Sequence, residues 1–225
     1  MKTEQVAPGV VRLALMPLDA FNAYVIGDVL VDSGGRLAGK HLLAALSHME
    51  IAGHALTHAH FDHQGSSHLV CEHFGIPLWC GEGDRAAVES GDLTRILPNP
   101  DSWLARVSQS MAGPAHPVDR VLGDGDEVGG FTVIETPGHT PGHLAFWRES
   151  DRVLILGDVL FHRNPMTLRI GLTEPFAFAT FDPAMNRNSA RRLAALEPAV
   201  VCFGHGAPLR DARRFAEFIL SLPAG

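Results

Sequence analysis

The sequence predicts an α+β fold in which helices cover both outer faces of two stacked sheets. Three observations lead there. Short apolar runs open each half of the chain, and each half then passes into a stretch with helical spacing. No linker, low-complexity segment or fixed short repeat divides the 225 residues, so 1–225 is expected to be a single domain.

The elements follow in order. Val10–Leu15, Phe21–Ile26 and the V-L-V-D-S-G run from Val29 read as strands, with a hairpin-type turn at Gly27-Asp28. Leu42, Leu43, Leu46 and Met49 repeat at helical spacing within a helix expected over 37–49. A strand is expected over 55–59, and a helix from Asp62 or His63 to Phe74, where Gly75 stops it. Ile76–Cys80 is a further strand and 84–90 a further helix; between Gly81 and Pro117 the signals are otherwise weak. The second half offers strands at 120–122, 131–135, 143–148, 153–156 and 199–203, and helices at 183–196 and 209–220. Asp124 and Asp126 lie in a G-D-G-D hairpin turn, which lacks the rest of a calcium loop.

Composition narrows the function. Apolar residues make up 46% and charged residues 19%, enough for a real core. The net charge of −7 with no basic cluster speaks against nucleic acid. No run reaches the ~18 apolar residues of a membrane span, and the N-terminus has no apolar signal core. Cys71, Cys80 and Cys202 form no C-x-x-C pair, which fits a reducing, cytoplasmic setting. Histidine, at 13 residues, is in excess and raises the question of a metal.

The segment T-H-A-H-F-D-H-Q-G carries His58, His60, Asp62 and His63. On an extended segment side chains two apart point the same way, so His58 and His60 can grip one cation. The chain then turns, and Asp62 and His63 project from a helix start toward an adjacent position. Imidazole nitrogen and carboxylate oxygen are suitable ligands for a divalent ion such as zinc. One turn can thus supply two ligands to each of two metals. His139 in T-P-G-H, Asp158 in L-G-D and His205 in C-F-G-H-G each sit at a strand end beside glycine, where loops can converge on rigid strands. Seven N/O ligands without cysteine point to open coordination positions and catalysis, since a structural zinc is normally closed by four ligands.

In this order and spacing the motifs resemble those of the metallo-β-lactamase-fold hydrolase superfamily, and V-L-V-D-S-G matches its early aspartate motif. The resemblance implies a four-layer αββα sandwich, two mixed sheets flanked by helices. It assigns His58, His60 and His139 to a first metal, Asp62, His63 and His205 to a second, Asp158 to the bridge, and Asp32 to orienting the ligand loop. It implies two divalent ions, zinc first, with iron or manganese also accepted by such ligands. The expected activity is dinuclear, metal-dependent hydrolysis of an ester, thioester or lactone-type small molecule by a metal-bridging hydroxide, with Asp62 as proton carrier. The centre keeps net positive charge, which brings the pKa of bound water toward ~7. Alternatives are a mononuclear iron persulfide dioxygenase using His58, His139 and Asp158, and a non-catalytic ligand-binding member of the fold. Nucleic acid and membrane are not expected partners, and the chain is expected as a monomer or homodimer. Lactonases of the family usually carry a tyrosine after the bridging aspartate; this stretch has Phe176, Phe178 and Phe181 instead, and Tyr24 is the only tyrosine. The apolar connection 161–182 is expected to pack under the domain, line a substrate cleft or form a dimer contact. His143 is read as the start of a strand, with ligand orientation as its other role; the remaining histidines are read as surface or core residues.

Overall fold

The computed structural model describes residues 1–223. Seven strands form the first sheet in sequence order: β1 (Lys2–Ala7), β2 (Val10–Ala14), β3 (Asn22–Ile26), β4 (Val29–Val31), β5 (Gly53–Ala55), β6 (Leu78–Gly81) and β7 (Arg120–Leu122). β1 to β4 pair antiparallel, and β4 to β7 pair parallel. The second sheet uses β8 (Glu127–Val128), β9 (Phe131–Glu135), β10 (Leu144–Arg148), β11 (Val153–Ile155) and β14 (Val200–Cys202), in the order β14-β11-β10-β9-β8. A separate hairpin, β12 (Phe161–Arg163) with β13 (Ile170–Thr173), stands apart from both.

Period-two alternation explains the stacking. Tyr24, Ile26, Val29 and Val31 face Val133, Phe146, Val153, Ile155 and Cys202 in one core between the sheets. The intervening residues point outward and need cover. Ala23, Val25 and Leu30 pack under α1 (Gly39–Leu46) and α3 (Ser67–Phe74) through Leu42, Leu46 and Val70. Ala145, Leu154 and Val201 pack under α6 (Pro183–Ala194) and α7 (Ala212–Ser221) through Leu193, Phe215 and Ile219. The layers are therefore helix, sheet, sheet, helix, with both sheets mixed, as expected.

Some elements differ from the sequence reading. The helix expected from Asp62 to Phe74 is two: α2 (Phe61–Gln64) and α3, broken at Gly65-Ser66. The His63 carbonyl, which would accept from the amide of residue 67 in a continuous helix, instead takes the amide of Ser33 at 2.7 Å. The strand expected over 55–59 stops at Ala55, leaving 56–60 irregular and free to aim its histidines. The connection 161–182 holds the β12–β13 hairpin, and the weak stretch after α4 (Glu82–Ser90) contains α5 (Trp103–Met111), capped by Ser102, whose side chain accepts the Ala105 amide. β1 and α5 are additional to the expected elements.

Candidate metal centre

Strand ends carry the site. Asp32 follows β4, the 57–63 turn follows β5, His139 follows β9, Asp158 follows β11 and His205 follows β14. All seven expected ligands come together at this edge. Asp158 is central: its Oδ2 lies 2.9 Å from His205 Nε2, 3.4 Å from His63 Nε2, 3.6 Å from His139 Nε2 and 3.8 Å from His58 Nε2. His60 Nδ1 is 3.0 Å from His139 Nε2, and Asp62 Oδ2 is 3.5 Å from His205 Nε2. Three groupings have donor atoms within 4.8 Å of one another: His58, His60 and His139; His58, His63 and Asp158; and Asp62, His63 and His205. All but Asp62 are buried.

In four of the five rings, all but His60, a hydrogen bond on the far side sets which nitrogen faces inward. His205 Nδ1 donates to the Ala20 carbonyl at 2.6 Å, and His63 Nδ1 donates to Asp32 Oδ2 at 2.8 Å. His139 Nδ1 donates to Thr180 Oγ1, whose own hydroxyl donates to the Phe176 carbonyl. His58 Nδ1 donates to Thr57 Oγ1, which in turn donates to Asp32 Oδ2. In each of these four rings the Nε2 lone pair is left pointing at the centre.

The electrostatics agree. Burial and the neighbouring His63 hold His58 well below its ordinary pKa; burial and His60 do the same for His139. Burial pushes His60 down to about 4. Burial also opposes charge on His63 and His205, yet nearby carboxylates together outweigh it, Asp158 with Asp32 at His63 and Asp158 with Asp62 at His205, and raise both. Asp158 is held well below the usual carboxylate range by His205 and His63 despite its burial. Without another cation, His63 and His205 are the imidazoles on which a proton is favoured.

The donor set fits bound metal. His58 Nε2, His63 Nε2 and Asp158 Oδ1 are buried and have no hydrogen-bond partner, and each belongs to a cluster of N and O donors. Gly204, next to His205, is required by this crowding: a Cβ there would overlap Asp158 Oδ1 and lie 2.6 Å from His63 Cε1.

Three supporting residues complete the surroundings. Asp32 accepts the Thr57 amide on Oδ1 and holds a left-handed φ of 60°, so a strained backbone aims its carboxylate. His143 does not start the strand: β10 begins at Leu144, and the buried ring of His143 stacks on His58 with centroids 5.0 Å apart. Its Nδ1 donates to Thr136 Oγ1, and its Nε2 accepts the Asp158 amide at 3.1 Å, so its role is to place Asp158. Asp84 went unmarked in the sequence. It is fully buried and accepts Ala59 N and Thr140 Oγ1 on Oδ2 and Gly142 N on Oδ1, each at 2.8 Å. Burial pushes its pKa up to about 6, opposed by those three donors. Only its place, two residues into a helix beside G-E-G, could have signalled it. Tyr24 donates to the Phe203 carbonyl inside the core between the sheets. Elsewhere, His68 and His116 meet with Nδ1 atoms 3.1 Å apart near Glu72, a pairing the sequence did not announce.

Residues 18–205 match the family profile described as the metallo-beta-lactamase superfamily. The chain belongs to that superfamily, which is hydrolytic. It is 31% identical over 169 residues to the probable metallo-hydrolase YflN of Bacillus subtilis, covering 68% of this chain and 64% of YflN. It is 27% identical over 208 residues to the hydroxyacylglutathione hydrolase GloC of Haemophilus influenzae, covering 87% of this chain and 91% of GloC. Among solved structures it is similar to TTHA1623 in a di-iron-bound form, with 29% identity, a TM-score of 0.69, and 92% and 96% of the two chains covered. No helix among the described residues is long and apolar enough to cross a membrane.

Proposed function

We propose that the chain is a single-domain, dinuclear metal-dependent hydrolase acting on an ester, thioester or lactone-type small molecule in the cytoplasm. The observation that carries the reading is the convergence of seven N/O side chains, with Asp158 at their centre and buried donor atoms left unpartnered. His58, His60 and His139 would hold one ion, Asp62, His63 and His205 the other, and Asp158 both. Zinc suits this donor set, and the di-iron relative supports iron as an occupant too. When bound, such a pair supplies hydroxide at neutral pH and polarises the scissile carbonyl.

The chain's own residues do the rest. Asp62 is the more exposed of the two carboxylates and borders the cavity above the site, so it can carry a proton to the departing atom. Asp158, excluded from solvent and fixed through its amide by His143, is suited to holding two cations rather than to moving protons. The free, buried cysteines, with thiols kept protonated by burial, support the reducing compartment.

Asp158→Ala should bring metal content below one ion per chain and lower turnover at least about a thousandfold. Elemental analysis beside a hydrolysis screen of thioesters, lactones and aryl esters reads both. An Asp158→Ala protein with two metals and full rate overturns the assignment. Oxygen uptake with a persulfide substrate would instead favour the mononuclear iron alternative, which leaves the Asp62, His63 and His205 grouping without a use.

A further inference from the structure

The cavity above the ligands is walled very differently from its floor. His60, Asp62, His139, Asp158 and His205 form the floor, and the space holds about 330 Å³. Leu104, Val107 and Met111 of α5 form one wall; Phe161, Phe176 and Phe178 form the other. Phe176 and Phe178 stack at 5.2 Å with their planes 7° apart, giving a flat apolar slab. Ser108 is the only polar wall residue, and no lysine or arginine lines the cavity.

Several large apolar side chains that water would otherwise exclude gather at its mouth: Val107 is 42% exposed, Phe178 49% and Met166 69%. Apolar exposure concentrated over a polar floor marks a ligand site whose occupant supplies the missing cover. The volume lies at the small end of the ~300–1,000 Å³ range of small-molecule pockets. A carboxylate placed against these walls would lose water and meet no lysine or arginine there, a costly desolvation.

We infer that this cavity binds the uncharged apolar acyl chain of a neutral ester, thioester or lactone, and that it selects against anionic conjugates. The inference rests on the hydrolase reading and specifies its substrate class. For a thioester, the oxygen of water bonds to the acyl carbon as the C–S bond breaks. One water proton reaches the departing sulfur through Asp62, and the products are a carboxylic acid and a thiol. The wall has no side-chain donor besides Ser108, so the acyl chain contributes affinity through burial, roughly fourfold per fully buried methylene.

The test compares N-acetylcysteamine thioesters of acetyl, butyryl, hexanoyl and octanoyl groups on the metal-loaded enzyme with hexanoylglutathione, which keeps the acyl group and adds two carboxylates and one ammonium, a net anion. kcat/KM should rise at least tenfold from acetyl to hexanoyl and fall at least tenfold from the neutral to the glutathione thioester. Val107→Asp should flatten the chain-length profile, and Met111→Lys should narrow the gap between the two hexanoyl substrates. A second readout needs no turnover: the neutral dye Nile red should bind the protein saturably, be displaced by octanamide, and bind at least fivefold more weakly to Val107→Asp. A flat chain-length profile, or a preference for hexanoylglutathione, overturns the inference while leaving hydrolysis intact. If nothing is cleaved by protein holding two metals, the hydrolase reading falls. The dye then decides the cavity, and absence of saturable binding overturns it.

Discussion

Four of the five imidazoles at the centre, all but His60, have one nitrogen committed outward, and Asp32 commits two of them. Its Oδ2 takes the His63 ring proton directly and the His58 ring proton through the Thr57 hydroxyl. Asp32→Asn keeps the shape but replaces one acceptor oxygen with an amide that can only donate, facing either the Thr57 amide or the His63 ring. The expected result is a ten- to hundredfold loss of metal affinity, the usual cost of removing a partner that orients a ligand. Competition with a calibrated chelator measures it, and unchanged affinity would mean the ligand turn holds its geometry without this carboxylate. At this scale the ligands themselves were legible, because H-x-H-x-D-H is a local pattern whose spacing encodes direction. His143 was legible only as the alternative to a strand start, and Asp84 was not legible at all. Their partners are backbone amides of segments 15 and 25 residues away in the nearest cases, and no local spacing reports such a pairing.

At the scale of elements, two turns must stay in register for the first trio of histidines to exist. The 57–61 turn presents His58 and His60, and the Pro/Gly turn after β9 presents His139. Asp84, near the start of α4, ties them together by accepting from Ala59 on one and from Thr140 and Gly142 on the other. With three donors aimed at it, the group serves as a carboxylate at neutral pH, consistent with a pKa of about 6. Asp84→Asn would set an NH2 against one of those donors and leave both unsatisfied. A loss of about 1–3 kcal/mol of stability is expected, with weaker metal binding at the His58, His60 and His139 grouping. Urea denaturation of metal-free and metal-loaded protein reads both effects, and equal midpoints to wild type would remove Asp84 from this role. Elements were legible where apolar periodicity is strong, as in β9 to β11, whose alternate residues serve two cores. They were less so where the burial is one-sided and slight. β1 has one buried residue, Val6, and α5 has one, Ala105, because the rest of α5 faces the cavity mouth or water.

For the molecule as a whole, imidazoles buried without charge weigh on acid stability, and His54 is one that holds no place among the seven ligands. It lies on β5 beneath the ligand turn, fully buried; its Nδ1 donates to the Leu30 carbonyl at 3.1 Å and its Nε2 accepts from Ser67 Oγ at 2.8 Å. Ser33 Oγ, 3.0 Å from Ser67 Oγ, extends the network toward His63. A proton on Nε2 would face the Ser67 hydroxyl proton, and burial pushes the pKa down to about 4 while the Leu30 carbonyl and Asp32 favour charge and His116 opposes it. In the unfolded chain the ordinary value is about 6.5. Between these values the unfolded state binds the proton and the native state does not, so stability falls as pH drops through 6.5 and the loss levels off below about 4. The gap corresponds to about 3 kcal/mol for this residue. His54→Gln cannot serve Leu30 and Ser67 together, so it should be less stable at pH 7, but its stability should fall less steeply with acid. Denaturation of metal-free protein from pH 7 to 4 should give a slope smaller by up to one proton per chain in the variant, since the ligand histidines titrate in both. Parallel slopes would place the acid sensitivity in the metal centre alone.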